Sequence, residues 1–187
     1  MESLKSQIED HIKILNSNKD NIINNIIKIS HEINECFNRK NKILIFGNGG
    51  SAADAQHIAA EFTGRFVKER RGLPCIALTT DTSALTAIGN DYGYEKVFSR
   101  QVDALANKGD IVFGISTSGN SENVINALQM AKEKECFSIS FTGNNGGNIS
   151  EISDLNVNIN SNVTARIQEL HILCGHLICS IIDQNFD

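Results

Sequence analysis

The sequence has no apolar segment long enough to cross a membrane. No stretch approaches the roughly 18 uninterrupted apolar residues that a spanning helix requires. Residues 1–18 also lack the apolar block of a secretory signal peptide. These absences argue against a membrane protein and against an exported one, so we expect a cytoplasmic location.

Basic residues are also scarce. The chain has 17 Lys and Arg residues against 22 Asp and Glu residues, which gives a formal net charge of −5. Binding to nucleic acid through a general basic field is therefore not expected. The one basic run, residues 68–71 with the sequence Lys-Glu-Arg-Arg, predicts a solvated loop.

Paired cysteines are absent too. The five cysteines are odd in number and form no C-x-x-C pair, so the sequence predicts neither a disulfide framework nor a redox motif. Buried free thiols are the expected state, in agreement with a cytoplasmic location. The thiols belong to Cys36, Cys75, Cys136, Cys174 and Cys179.

The length of 187 residues, 41% of them hydrophobic, predicts one domain spanning residues 1–187. Within it, residues 1–40 form a helical segment that we expect to serve in oligomerisation. Apolar residues recur at helical spacing over residues 4–37, but the polar run 16–20 interrupts them, so two helices or one bent helix are possible. Ile23 and Ile27 widen the apolar stripe beyond what a sheet covers, which predicts a partner subunit.

The chain is organised around an apolar run that ends at Gly47 and continues through a glycine-rich turn into an Ala-rich segment. This order predicts a strand, a tight loop and a helix. Such a loop directs backbone N–H groups and the positive end of the helix at an anion. His57 and Glu61 are four residues apart, so they share one helix face and can approach one small molecule or metal ion. The alternative is a plain turn followed by a surface His–Glu pair. The candidate ligand contacts in the loop are Asn48, Gly49, Gly50 and Ser51.

Four further short apolar runs follow, and segments with helical spacing separate most of them, notably 97–106 and 123–131. This alternation predicts an α/β fold with a five-stranded parallel sheet that helices cover on both faces. Ligands of such sheets bind at the carboxyl ends of the strands. The predicted strands comprise residues 43–47, 75–78, 111–115, 137–141 and 155–159.

Polar loops follow the first four of these strands, at residues 47–51, 79–83 leading toward 89–91, 116–121 and 142–147. The third is the most specific, because it offers four hydroxyls, Gly119 permits a sharp turn and Ser121 suits a helix N-cap. It contains no Lys or Arg and no Walker A motif, which favours a phosphate monoester over a nucleotide. The alternative is a hydroxyl-rich turn that binds nothing.

The segment 163–182 predicts a last helix that is apolar on nearly every side and therefore buried all round. Polar groups buried in it without partners would cost about 1–3 kcal/mol each, so we expect them to be bonded or to belong to a site. Gln168 and His176 lie about 80° apart around this helix and can converge on one ligand. The alternative for His176 is a satisfied core histidine. The polar groups are Arg166, Gln168, Glu169, His171 and His176.

Together these motifs resemble the sugar isomerase (SIS) family of phosphosugar-binding domains and, within it, the phosphoheptose isomerases. The Ser-Thr-Ser-Gly loop alone indicates only the superfamily. The combination of His57 and Glu61 with Gln168 and His176 narrows the resemblance to the phosphoheptose isomerases. The resemblance covers essentially the whole chain. It rests on residues 47–65, 89–93, 114–121, 166–171 and His176.

The resemblance implies a three-layer αβα sandwich of flavodoxin-like type and a homotetramer with its sites at subunit interfaces. It implies a sugar phosphate substrate, with conversion of sedoheptulose 7-phosphate to D-glycero-D-manno-heptose 7-phosphate as the first step of nucleotide-activated heptose biosynthesis. Glu61 and His176 would be the acid–base pair, and His57, Glu61, Gln168 and His176 would match a zinc site. The implied substrate contacts are Asn48, Gly49, Gly50, Glu61, Asn90, Asp91, Ser116, Thr117, Ser118, Ser121 and Gln168.

An aldose–ketose isomerase moves a proton between adjacent carbons through an enediol, for which a carboxylate and an imidazole suffice. We expect Glu61 to abstract the carbon-bound proton and His176 to move the oxygen proton, although these roles can be exchanged. Two alternatives stay open at this point. One is a non-catalytic SIS-domain adaptor, which has no need of a paired Glu61 and His176, and the other is an isomerase of a different phosphosugar.

Overall fold

Seven α-helices and five strands alternate along residues 2–187, the part of the chain that the computed structural model describes. A 3₁₀ turn, Tyr94–Lys96, joins the third and fourth helices. In chain order the elements are α1 (Glu2–Asn38), β1 (Ile43–Gly47), α2 (Gly50–Thr63), β2 (Cys75–Ala77), α3 (Thr82–Tyr92), α4 (Ser99–Leu105), β3 (Ile111–Ser116), α5 (Glu122–Glu133), β4 (Phe137–Gly143), α6 (Gly147–Ile152), β5 (Leu155–Ile159) and α7 (Thr164–Asp183).

The five strands form one parallel sheet in the order β2-β1-β3-β4-β5. β1 lies between β2 and β3, with Ile43 opposite both Cys75 and Ile111. The predicted five-stranded parallel sheet is confirmed. Its order reverses direction at β1 and β3, which is the point where such sheets bind ligands.

Helices cover both faces of the sheet. Ile45 and Phe113 belong to the core on the side of α1, α2 and α7, whereas Leu44 and Phe46 belong to the core beneath α4 and α5. Full burial of each such side chain stabilises the fold by about 1.5–3 kcal/mol. Both faces are therefore apolar, as the short continuous runs predict, and the αβα sandwich is confirmed.

The N-terminal segment is one uninterrupted helix of 37 residues, so the alternative of two helices is wrong. Asn18, in the middle of the polar run, is buried and serves as a docking point. Its side chain donates to the Ile14 carbonyl at 2.8 Å and accepts from the Asn160 amide at 2.9 Å. The polar run thus fastens α1 to the end of β5 instead of breaking the helix. Ile23 and Ile27 are exposed, as are Leu4, Ile8 and Ile12.

The prediction that the last helix is buried all round holds for one side of α7 only. Leu170 and Ile178 are buried against the sheet, whereas Leu177 is exposed and Ile172 is half-buried. By length and composition α7 is the one described helix that could cross a membrane, but it packs on α1, α2 and β4 as a core helix.

Two helices were not predicted. α3 occupies residues that the sequence indicated as a polar loop, because Asp81 caps it by accepting from the Ala84 amide at 2.9 Å. α6 is only six residues long and follows the glycines at 146 and 147. The prediction of a solvated basic loop at residues 68–71 is wrong for Arg70, which is buried.

All five cysteines are free and buried, as predicted. Burial raises the pKa of the Cys36 and Cys174 thiols to about 12. The thiols are therefore protonated at neutral pH and unsuited to nucleophilic chemistry.

Candidate active site

His57 and Glu61 of α2 meet His176 of α7. The His57 Nε2 lies 3.1 Å from the Glu61 Oε1 and 3.3 Å from the His176 Nε2. The two imidazole rings meet edge to face, with centroids 5.0 Å apart. His57 is half-exposed and Glu61 more buried, so the cluster is open to a ligand. The predicted shared face of α2 therefore exists, and His176 belongs to it instead of to the core.

Gly175 permits this approach of the two helices. A Cβ atom at position 175 would lie 2.7 Å from side-chain carbons of the buried Ile58 on α2. With glycine there, the backbone of α7 packs directly against α2. The neighbouring His176 and His57 are thereby brought into contact.

The donor chemistry of this cluster fits zinc. Ligand atoms at about 2.0–2.1 Å in a tetrahedral zinc site lie about 3.3 Å from one another, which matches the separations around the His57 Nε2. Among residues 2–187, no group of three or more His, Cys, Asp or Glu side chains is arranged to hold a metal ion. The side chains of the cluster are of the types that bind zinc, but this chain alone does not arrange them around one ion.

Gln168 lies apart from this cluster within one chain. It is eight residues, or about 12 Å of helical rise, before His176 on α7. Its side chain packs against Gly50 at the start of α2, where an added Cβ would lie 2.8 Å from the Gln168 Cδ. Among the described residues Gln168 makes no hydrogen bond to His57, Glu61 or His176, and its role as a metal ligand stays a prediction.

Asp54, which the sequence did not single out, lies on the same side of α2 as His57 and Glu61. Burial raises the pKa of its carboxyl to about 6, although the nearby His57 acts in the opposite direction. Within the described chain the Asp54 Oδ2 atom is buried without a hydrogen-bond partner. Its raised pKa could not be predicted because it depends on how deeply the packed fold buries the carboxyl.

The hydroxyl-rich loop lies at the end of β3, as predicted. The Ser116 hydroxyl is 2.9 Å from that of Ser121 and 3.4 Å from that of Ser118. Ser121 stands at the N-cap of α5, but its hydroxyl points back to Ser116 instead of capping the helix. Ser121 and the amino end of α5 line a pocket, and the buried Ser116 hydroxyl lies within hydrogen-bond distance of Ser121. Hydroxyls and a helix amino end are groups that can bind a phosphate monoester.

An amide pair joins this loop to the glycine-rich loop after β1. Asn48 and the buried Asn123 of α5 exchange two hydrogen bonds of 2.9 Å, and the Tyr94 hydroxyl donates to the Asn48 Oδ1 at 3.1 Å. Together with Ser121 these side chains line a pocket. Asn123 and Tyr94 were not predicted, because only the sheet order brings β1 and β3 side by side.

The fourth predicted loop, residues 142–147, supports the third. Gly119 has a φ of +68°, and a Cβ there would overlap the carbonyl of Gly146. The Asn144 side chain donates to the Thr117 carbonyl at 3.1 Å, and the Ile149 amide donates to the Gly119 carbonyl at 3.0 Å. These hydrogen bonds therefore hold the backbone of the hydroxyl-rich loop in place.

Asn90 and Asp91 lie in the last turn of α3 and are exposed. Within the described chain their only side-chain hydrogen bond joins one to the other, at 2.8 Å. Their role in substrate binding stays a prediction.

The remaining polar groups of α7 are bonded as expected through part of each side chain, but the Arg166 Nε and the His171 Nδ1 are buried without a partner among the described residues. Arg166 pairs with Glu169, which in turn lies 2.6 Å from the His11 Nδ1 on α1. The His171 Nε2 lies 2.9 Å from the Thr142 carbonyl. Burial lowers the pKa of His171 to about 4, so it is neutral and belongs to the core.

Comparison with known proteins gives the same answer for sequence and structure. Residues 8–143 match the SIS domain. A phosphoheptose isomerase of a Nitratiruptor species is 50% identical over 186 residues, which cover 100% of both chains. One from Aliarcobacter butzleri is 66% identical over 80% of this chain and 79% of its own length. The solved structure of a phosphoheptose isomerase from Neisseria gonorrhoeae superposes with a TM-score of 0.93 at 45% identity, covering 98% of each chain.

Proposed function

The chain belongs to the SIS-domain family and, within it, to the phosphoheptose isomerases, and we propose that it converts sedoheptulose 7-phosphate to D-glycero-D-manno-heptose 7-phosphate. The observation that carries the proposal is the cluster of Glu61, His57 and His176. A non-catalytic adaptor has no use for such a cluster, and an isomerase needs its acid and base groups.

The hydroxyl-rich loop binds the phosphate in this proposal. Ser116, Thr117, Ser118 and Ser121 donate from hydroxyls and backbone amides, and the amino end of α5 adds its positive dipole. Asn48, Gly49 and Gly50 contact the sugar from the neighbouring loop, with Asn48 held in place by Asn123. Asn90, Asp91 and Gln168 complete the contacts to the sugar hydroxyls.

Glu61 abstracts the proton from the carbon beside the carbonyl, and His176 moves the proton between the two oxygens. His57 lies between them and holds the Glu61 carboxylate in place through its Nε2. Each group acts at one side of the enediol, so the proton leaves one carbon and returns to the next without a redox partner.

His57, Glu61 and His176 would hold zinc, with Gln168 as the fourth ligand implied by the resemblance. When bound, zinc supplies Lewis-acid polarisation of the substrate carbonyl. Metal analysis of protein prepared without chelator, compared with His57→Gln, tests this part: about one zinc per chain in the first and a loss in the second support it.

A second copy of the chain is part of this proposal. Glu61 stands eleven residues after Gly50, about 16 Å along α2, so the hydroxyl-rich loop and Glu61 lie at opposite ends of this helix. That separation exceeds the length of a seven-carbon sugar, which supports the proposed homotetramer with sites between subunits. The exposed apolar residues of α1 supply a surface for it.

Mixed oligomers test the shared site. Glu61→Gln and Ser116→Ala subunits are each expected to be inactive alone and to regain part of the activity when unfolded and refolded together. No regain, in oligomers shown by mass to be mixed, contradicts a site built from two subunits.

The five free thiols accord with the cytoplasmic location that we propose.

NMR of the protein incubated with sedoheptulose 7-phosphate tests the reaction itself. Appearance of the aldoheptose 7-phosphate, with and without added zinc or chelator, supports the proposal and shows the part played by metal. Absence of conversion in every condition, by folded protein, contradicts it. Fructose 6-phosphate serves as the control substrate for another phosphosugar.

A further inference from the structure

Arg70 is the buried member of an otherwise exposed basic run. Its side chain has no exposed area, while Lys68, Glu69 and Arg71 are exposed. All three of its guanidinium nitrogens are hydrogen-bonded. Nε donates to the Asp183 Oδ1 at 2.7 Å, Nη2 to the Glu61 carbonyl at 2.8 Å, and Nη1 to the carbonyls of Phe62, Gly64 and Arg71 at 2.9, 3.2 and 3.0 Å.

These hydrogen bonds satisfy backbone carbonyl groups at the carboxyl end of α2. The last four carbonyl groups of a helix have no partner within it, and helix ends that lack partners fray. The last turn of α2, within Gly50–Thr63, has no basic side chain of its own. Arg70 supplies donors to the Glu61 and Phe62 carbonyls from the following loop. The backbone that carries the Glu61 carboxylate is therefore held directly by the guanidinium.

Asp183 connects the same guanidinium to α7. It is the last residue of that helix, and its Oδ2 accepts from the amides of Val67 and Lys68 at 2.7 and 2.8 Å. Asp183 follows His176 by seven residues, or about 700° of rotation, so the two side chains leave α7 on nearly the same side. The Arg70–Asp183 ion pair and the His57–His176 contact therefore both link α2 to α7, and both lie on nearly the same side of α7.

We propose that Arg70 is a positioning residue for the acid–base pair: with Asp183 it fixes the helix that carries Glu61 against the helix that carries His176. The proposal rests on the isomerase function proposed above. Only a planar guanidinium with five N–H groups can serve one carboxylate and several carbonyls at once. A shift of about 1 Å between reacting groups costs up to about 10²-fold in rate.

Three variants test the proposal. Arg70→Lys keeps the charge but loses most of the hydrogen bonds, and Asp183→Asn removes the charged partner. Lys68→Gln is the matched control, because it removes an exposed ion pair with Asp187 in the same loop. We expect kcat to fall about 10- to 100-fold in the first two with KM within about twofold, since the phosphate loop is unchanged. The control should keep both constants.

Histidine NMR separates positioning from a general loss of structure. The five imidazoles report on different regions, with His57 and His176 at the cluster and His11, His31 and His171 elsewhere. We expect Arg70→Lys to shift the signals of His57 and His176 alone. Equal shifts of all five show that Arg70 only maintains the fold, which overturns the proposal, as does a wild-type kcat with unchanged signals.

Asp183→Glu keeps the ion pair and moves it by one methylene group. It replaces the other two variants where they do not fold, with the same expectations for kcat and for the signals of His57 and His176. If the wild type does not convert sedoheptulose 7-phosphate, the proposed function fails, but the histidine signals still decide whether Arg70 positions the cluster.

Discussion

The Nε2 atoms of His57 and His176 lie 3.3 Å apart, although 119 positions separate the residues in the chain. One imidazole comes from the helix after the first strand and the other from the last helix. Their contact exists because α2 and α7 pack on the same face of the sheet, with glycine at position 175 between them. Glu61 joins through His57, so a carboxylate and two imidazoles form one group.

Replacing either member of the acid–base pair tests its chemistry. Glu61→Gln and His176→Gln keep the size and most of the polarity of each side chain but cannot accept or release the proton. We expect kcat to fall by about 10²–10⁴-fold in each, with little change in circular dichroism or in the unfolding midpoint. Glu135→Gln, at an exposed ion pair with Lys108, is the control and should keep full activity. A near wild-type kcat removes the residue in question from the mechanism.

The sequence predicts well what depends on local spacing. His57 and Glu61 share a face because they are four residues apart on a helix, and Ser116 to Ser121 follow a strand because the apolar run ends there. The parallel sheet and its two helical layers follow from the same alternation. Each of these predictions needs only the period of an element and the handedness of its crossovers.

What the sequence does not predict depends on contacts between distant segments. Arg70 stands in a basic run that indicates solvent, and its burial follows from Asp183, 113 positions away. Asn123 resembles any helix residue until the sheet order brings it to Asn48. The contact between Gln168 and Gly50 likewise appears only when α7 and α2 are packed against each other.

The packing of the fold should require glycine at position 50 because of Gln168. It begins α2 with an ordinary helical backbone, where alanine is normally favoured by roughly 0.5–1 kcal/mol. An added Cβ would meet the Gln168 side chain, so Gly50→Ala should displace the Gln168 amide and raise KM. We expect Gly50→Ala to lower the unfolding midpoint in the wild type but to raise it in the Gln168→Ala background. Equal effects of Gly50→Ala in both backgrounds contradict this account.

His171 should make the protein sensitive to acid. Burial lowers its pKa from 6.5 to about 4, so the unfolded chain takes up the proton first as the pH falls. Its contribution to stability is complete above pH 6.5 and is lost between pH 6.5 and about 4, by up to about 3 kcal/mol. His171→Gln, which keeps an N–H donor for the Thr142 carbonyl, should flatten the urea-unfolding profile in this range. The two profiles should run parallel above pH 7, and parallel profiles throughout would contradict the prediction.

Asp54 should act in the opposite direction over nearly the same range. Its folded pKa of about 6 lies above the ordinary 3.8, so the folded chain holds the proton more tightly and loses stability as the pH rises from about 4 to 6. Above pH 6 the full cost of burying the carboxylate is present, about 1–2 kcal/mol after allowance for its partial contact with solvent. Asp54→Asn should therefore unfold at higher urea than the wild type at pH 7.5 and show no such gain at pH 4, at one fixed protein concentration.

Asp103 provides the contrast, because the hydrogen bond from Lys134 lowers its pKa. Asp103→Asn should bring no gain at pH 7.5, and a similar gain in both variants would mean that loss of negative charge alone, and not the burial of Asp54, is responsible.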